Sequence, residues 1–181
     1  PQDHWLKLGR LITKIEGEPI LVSWGGSMFE YLMPLLVMPN YEGSLLAQTC
    51  KDAVNGQIRY ATKNNITWGI CDSCYNKVDI NKEYQYRSFG VPGMGFKRGL
   101  ADDLVVAPYA SMLALMIEPK KAFDNLQRLF TKGAGGFFGL YEALDFTPSR
   151  LTTDETHVVV KTYMAHHQGM SLLALAYTLL G

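Results

Sequence analysis

The sequence predicts an all-α domain, an α/α toroid of the six-hairpin barrel type, of which these 181 residues supply an incomplete portion with long irregular loops forming the cleft. Three observations lead there. Segments with helical periodicity alternate between half-apolar and apolar all round; long stretches rich in Gly and aromatic residues separate them; and no linker, repeat or low-complexity tract divides residues 1–181, which read as one domain segment.

Taken in order, Ser44 to Ala61 carries Leu46, Cys50, Ala53, Val54, Ile58 and Ala61 on one 3.6-residue stripe, which buries one face. Leu104 to Ile117 is apolar nearly all round with Pro108 in its early turns, and Asp102 and Asp103 are its candidate N-terminal caps; this helix should be fully buried. Pro119, at a first helical position, starts Lys120 to Phe130, where Ala122, Phe123, Leu126, Leu129 and Phe130 oppose Lys120, Lys121, Asp124, Gln127 and Arg128. The last helix runs from about Thr162 to Leu180 and is apolar after a polar start. Alternating buried and half-buried helices imply hairpins in two concentric layers. Residues 22–40, 66–99 and 133–150 lie between them, and loops of that length in a compact domain either serve function or hide an element.

Composition narrows the function. With 48% hydrophobic and 12% aromatic residues the chain can bury a sizeable core. Seventeen basic residues balance seventeen acidic ones without a block of one sign, so neither nucleic acid nor an anionic membrane surface is an expected partner; small neutral molecules fit better. Three cysteines, Cys50, Cys71 and Cys74, make no disulfide framework and point to a reducing compartment. No signal peptide is visible, and the longest apolar runs, 104–117 and 170–180, fall short of the roughly 20 residues a spanning helix needs, so the segment should be soluble and make no direct membrane contact. A start without Met and an end inside an apolar helix point to a segment of a longer chain.

Four carboxylates sit among aromatics and glycines: Glu30 in WGGSMFEYLMP, Asp72 in TWGICDSCYN, and Glu142 and Asp145 in GFFGLYEALDFTPSR. Aromatic faces stack on sugar rings, and two acids flanking a glycosidic bond suffice for its cleavage. Alternatively each acid caps a helix or pairs with Arg98 or Arg150. The Cys71-x-x-Cys74 pair has no second C-x-x-C and no H-x-x-x-H to complete a zinc site, and no β-α-β pattern to make it a redox motif, so neither a metal nor any other cofactor is implied. His166-His167-Gln168, heading the last helix, could bind substrate hydroxyls or satisfy loop carbonyls. Gly90, Gly93, Gly95 and Gly99 do not follow a phosphate-loop spacing; they let a loop bend close to a ligand or another backbone segment, with Lys97 and Arg98 as hydroxyl donors or ion-pair partners.

WGGSMFEYLMPLL, TWGICDSCYN, YQYRSFGVPGMGFKRGLADDLVVAPYA, GLYEALDFTPSRL and MAHHQGMSLLALA, in that order and over nearly the whole chain, resemble the glucoamylase-like domain of cyclic β-1,2-glucan synthases. The resemblance implies a helical toroid that takes linear β-1,2-glucan, cleaves an internal linkage and rejoins it to the chain's own end as a ring; related β-1,2-glucanases hydrolyse instead. It also implies neighbouring domains of a larger membrane-bound synthase as partners, and a place on the cytoplasmic side of the inner membrane. Glu142 matches one member of the family's catalytic pair and Asp72 the other. The family's segment usually reads Trp-Gly-Ile-Ser-Glu-Ser, so here Cys71 stands for Ser and Asp72 for Glu. The shorter side chain withdraws the carboxylate by roughly 1.5 Å. A misplacement of about 1 Å can cost on the order of 10²-fold in rate, and carboxyls roughly 6.5 to 9.5 Å apart rather than about 5 to 5.5 Å favour inversion. The departure therefore implies a compensating backbone shift, a lean toward hydrolysis, or a non-catalytic glucan-binding segment. Glu142, beside Leu140, Tyr141 and Phe146, is the expected proton donor and Asp72 the nucleophile or base; Trp24, Glu30, Trp68, Tyr86, Arg98 and Tyr141 are the expected cleft lining.

Overall fold

Ser44 opens the longest helix by accepting a hydrogen bond on its side chain from the Ala47 amide, and α3 then runs through Leu45–Lys63 with Cys50, Ala53, Val54 and Ala61 buried along the stripe expected of it. The computed structural model describes residues 1–15 and 17–180. Before α3 come a single turn, α1 (Asp3–Leu6), a hairpin of β1 (Ile12–Ile15) and β2 (Glu18–Leu21) whose second strand packs on α3, and the short α2 (Met28–Leu32).

The all-α expectation fails: the chain is mixed, 41% helical and 19% strand, with several small antiparallel sheets. The strands lie in the stretches that lack helical periodicity. In 66–99, β3 (Ser73–Val78) pairs with β4 (Tyr84–Arg87), and in β4 aromatic residues alternate with polar ones. The run 104–117 is not one helix. Val105–Val106 form β5, and α4 (Pro108–Ala114) begins only at Pro108, which occupies the first helical position because its missing N–H costs nothing there. Asp102 ends a 3₁₀ turn, and Asp103 is extended rather than capping. A short run of apolar residues reads equally as buried strand or buried helix, which is why periodicity misassigned it.

Pro119 heads α5 (Pro119–Thr131) as expected. The third stretch holds a tight hairpin of β6 (Gly135–Gly136) with β7 (Gly139–Leu140), and then β8 (Ala143–Asp145), central in an antiparallel sheet with β5 on one side and β9 (Val158–Val160) on the other. The final helix, α6, spans Ala165–Leu180. The buried α4 is the hub of the helices: α5, α6 and α2 pack around it, while β3 lies against β8 and β9. Among the described residues no helix is long and apolar enough to cross a membrane.

A buried ion network fastens the sheet end of this core. Arg150 forks onto Asp145 (Nε to Oδ2 2.7 Å, Nη2 to Oδ1 3.0 Å), reaches Asp103 and Thr147, and lies 4.9 Å from the Tyr75 ring centre. Asp145 also accepts from the amides of Asn76 and Thr147. It is thus wholly buried and wholly paired, a structural carboxylate.

Candidate active site

Residues 67–70 run between α3 and α5, and two buried amides hold them as a neighbouring strand would. Gln57 on α3 donates to the Ile70 carbonyl and accepts from the Ile70 amide, both at 2.8 Å; Asn125 on α5 donates to the Trp68 carbonyl at 2.8 Å and accepts from the Trp68 amide at 3.3 Å. The amide of Ala107 bonds the Gly69 carbonyl. Every polar group of a buried segment needs such a partner. The consequence is a fixed exit at Cys71, which delivers Asp72 to one place.

Asp72 is half-buried, and its Oδ2 accepts from the Ser27 hydroxyl at 2.9 Å. Ser27 in turn is set by a capping box: its hydroxyl accepts from the Glu30 amide while the Glu30 carboxylate reaches back to the Ser27 amide. Glu30 also accepts from the Gly25 amide with both oxygens and from the Ser23 hydroxyl. Its carboxylate is thus consumed by the 23–27 loop. That loop lies flush on residues 88–97, as the Gly-rich sequence implied. A Cβ on Gly90 would fall 1.7 Å from the Gly25 carbonyl oxygen, and one on Gly95 2.5 Å from the Gly26 nitrogen.

Glu142 enters from the sheet, just before β8. Its backbone amide bonds the Thr162 carbonyl, and its side chain is almost wholly buried. Oε1 accepts from the Cys74 amide at 3.2 Å, and His167 Nδ1 lies 2.9 Å from Oε1 and 3.0 Å from Oε2. His167, in the first turn of α6, stacks on Tyr109 of α4 with ring centres 3.8 Å apart and planes 15° from parallel. The Tyr109 hydroxyl donates to the Asp72 carbonyl at 3.0 Å and lies 3.0 Å from Cys71 Sγ. Both acids therefore belong to one connected cluster.

Tyr86, 46% exposed on β4, lies beside that cluster, its ring centre 6.2 Å from that of His167. Burial, and then the charges of Asp72, Cys71, Glu142 and Cys74 in that order, push its phenol well above the ordinary value. One hydroxyl thus feels both carboxylates. The cysteines are free, and burial raises all three thiols, Cys74 and Cys50 to about 11. Cys71 is raised furthest, by burial and then Asp72; it accepts from the Phe29 amide, so with Tyr109 already donating to Asp72 its own S–H is the donor to the Tyr109 oxygen. Among the described residues no three His, Cys, Asp or Glu side chains converge as a metal site.

Of the expected lining, Tyr86 lies beside the cluster and Tyr141 immediately precedes Glu142 in sequence, its ring centre 5.1 Å from that of Tyr163. Trp24 is 72% exposed beside the Gly25–Gly26 contact, and Arg98 is exposed on the same Gly-rich segment. Trp68 is buried in the core under α3 and α5, away from Asp72's side of the segment. Gln168 satisfies a loop carbonyl, donating to Leu140 at 2.8 Å, whereas its neighbour His167 bonds an acid. The sequence reading passed over Ser27 and Tyr109. The spacing Ser27-x-x-Glu30 before an apolar run was a legible cap signal; nothing local marked Tyr109.

The chain is 49% identical over 176 residues to the cyclic β-(1,2)-glucan synthase NdvB of Rhizobium meliloti, covering 97% of this chain and 6% of that protein. Its fold matches an endo-β-1,2-glucanase from Chitinophaga pinensis, solved as a sophorotriose and glucose complex, with a TM-score of 0.66 at 14% identity over 96% of this chain and 42% of the other. It also matches a β-1,2-glucanase from Parabacteroides distasonis, with a TM-score of 0.61 at 16% identity over 93% of this chain and 24% of the other. The chain thus spans less than half the length of each of these relatives. The Glycoamylase family model, described as "Putative glucoamylase", matches residues 2–179, and the chain belongs to that family.

Proposed function

We propose that this chain is a carbohydrate-active segment of a larger synthase, acting on linear β-1,2-glucan. It cleaves an internal linkage with Asp72 and Glu142 and passes the freed glucan end to a hydroxyl of the same chain to close a ring. The observation that carries the reading is the single connected cluster that joins Glu142, through His167 and Tyr109, to Asp72, in a chain 49% identical to a cyclic β-1,2-glucan synthase. In a retaining cycle one acid protonates the leaving oxygen while the other attacks the anomeric carbon. The first then deprotonates the incoming hydroxyl as the glycosyl–enzyme bond breaks. With Glu142 as the acid and later the base, Asp72 is the nucleophile. Its half-buried carboxylate is open to a sugar, and Ser27 fixes its direction. Trp24, exposed beside the site's glycine contact, and Tyr86 supply aromatic surface on which glucose rings stack, with Tyr141 and Arg98 further along. The neighbouring domains of the intact synthase would bring this segment to the cytoplasmic side of the inner membrane.

Hydrolysis is the second reading, favoured by the short Asp72 side chain. Held back on Ser27, it leaves space for a water at the sugar.

Incubation with linear β-1,2-glucan, following product size and anomeric configuration, tests both. Ring products or transfer products are expected from the wild type, with a loss of at least about 10²-fold in Asp72→Asn and in Glu142→Gln. Activity that survives both amide substitutions would overturn the two-acid assignment. Binding without turnover in the wild type would leave a glucan-binding segment.

A further inference from the structure

The contacts around the two acids close on themselves. From Asp72 the chain runs two residues to Cys74, whose amide holds Glu142; Glu142 is held by His167; His167 lies flat on Tyr109; and the Tyr109 hydroxyl returns to the Asp72 carbonyl. Two residues of chain span at most about 7 Å, so the covalent side of this ring is short and fixed. The other side is the ring stack, carried by α4 and α6, two helices packed on one another. A second tie locks each end. Tyr109 also bonds Cys71 Sγ, itself held by the Phe29 amide, and the Ser171 hydroxyl bonds the His167 carbonyl one turn along α6.

We infer that the Tyr109–His167 stack is the spacer that sets the separation of the Asp72 and Glu142 carboxylates, and that through this separation it divides the retaining course, on which glycosyl transfer depends, from direct inverting hydrolysis. The inference rests on the two-acid reading above. Neither ring touches the sugar in this scheme; both are positioning residues. The physical reason is that a closed ring of contacts has no free hinge. Moving Glu142 toward or away from Asp72 requires breaking a 3 Å hydrogen bond or sliding apart two rings at van der Waals distance inside a packed core. Carboxyl separation decides the first displacement: at about 5 to 5.5 Å the second acid attacks the anomeric carbon and forms a glycosyl–enzyme bond that a sugar hydroxyl can take over, whereas roughly 6.5 to 9.5 Å admits a water that attacks directly and inverts. A spacer of fixed thickness is one way to hold a site on the transfer side with an aspartate where a longer acid would otherwise reach.

Three substitutions take the ring apart one link at a time. Tyr109→Phe keeps the stack and drops the tie to Asp72. His167→Phe keeps the stack and drops the tie to Glu142. His167→Asn keeps an N–H for Glu142 and drops the stack. With linear β-1,2-glucan as substrate, Tyr109→Phe and His167→Phe are expected to lower kcat by about 10- to 100-fold, as for a displacement near 1 Å, with KM within twofold and a larger hydrolysed share of product. His167→Asn should recover part of the kcat lost in His167→Phe but not the transfer share. Crystal structures of the same variants read the carboxylate separation directly, without any turnover. A separation unchanged in all three variants, His167→Asn included, or a transfer-to-hydrolysis ratio equal to wild type in every folded variant, overturns the spacer. A changed separation together with a wild type that never turns over glucan would leave the spacer standing and remove the proposed function instead.

Discussion

Gly90→Ala is a single-methyl test of how the loop beneath Asp72 is built. The added Cβ would lie 1.7 Å from the Gly25 carbonyl oxygen and 2.8 Å from the carbonyl carbons of Gly25 and Gly26. Ordinary carbon–oxygen contact is about 3.3 Å, so the two segments must part by about 1.5 Å, and no flexible side chain can yield in their place. That displacement exceeds the tolerance of the bonds sewing the segments together: Val91 amide to Gly26 carbonyl at 3.0 Å, Ser23 amide to Met94 carbonyl at 3.0 Å and Lys97 amide to Trp24 carbonyl at 3.0 Å. Overpacking costs about 1–3 kcal/mol and each lost backbone bond about 1 kcal/mol, so a loss of about 3–5 kcal/mol follows if two of the three break. For a chain of this length that lowers Tm by roughly 6 to 20 °C. Ser27 moves with the loop and releases Asp72, so glucan turnover should fall by about 10²-fold even well below the new Tm. Thermal unfolding by circular dichroism and turnover at 15 °C measure the two effects. A Tm within 2 °C of wild type would refute the steric argument, and full activity in a destabilised variant would refute the link from Gly25 through Ser27 to Asp72.

Arg150→Met should destabilise by about 3–5 kcal/mol in urea unfolding, because it leaves the carboxylates of Asp145 and Asp103 buried without their fork; Asp145→Asn should cost less, since Asn keeps part of the hydrogen bonding, and the reverse order would contradict the ion-network reading. The thiols should titrate late. Burial raises Cys74 and Cys50 from 9.0 to about 11 in the folded chain, so the stability tied to keeping them protonated is complete below pH 9 and is lost as pH rises from 9 toward 11. Urea unfolding across that window should show the decline, and Ellman's reagent at pH 8 should label the native chain slowly and the unfolded chain fast. Rapid labelling of all three thiols in the native chain would show that burial does not control them.

What the sequence made legible were features coded by neighbours. Ser44 and the stripe of α3 announced that helix, Pro119 announced α5, and the glycines of 90–95 announced a close backbone approach that Gly25 and Gly26 indeed receive. The strands escaped because pairing is not local. Nothing within Val105–Val106 tells that Leu144 and Asp145 lie opposite, and the apolar residues running on into α4 fitted a helix equally well. Among the acids, Glu30 and Asp145 resolved as the alternatives given for them, a helix cap and an arginine pair. Their partners were nearby in sequence, three and five residues away. His167 lies 25 residues from Glu142 and Tyr109 lies 37 from Asp72, separations across which no spacing rule applies.

The Cys71–Cys74 segment shows why a motif of one appearance served another end. Burial raises both its thiols, and what the segment contributes is backbone: the Asp72 carbonyl to Tyr109 and the Cys74 amide to Glu142, with the Asp72 carboxylate between them. Four consecutive residues therefore carry one acid and hold the other. A substitution that slides or twists this segment shifts the Asp72 carbonyl and the Cys74 amide against Tyr109 and Glu142, whose own anchors lie on α4 and beside β8. The two buried amides resist such a shift, since each forms a pair of bonds to one residue's N–H and C=O, and both bonds of a pair must stretch or bend before that residue moves. The backbone that carries Asp72 and holds Glu142 is thus fixed on its α3 and α5 side by paired hydrogen bonds as well as by packing.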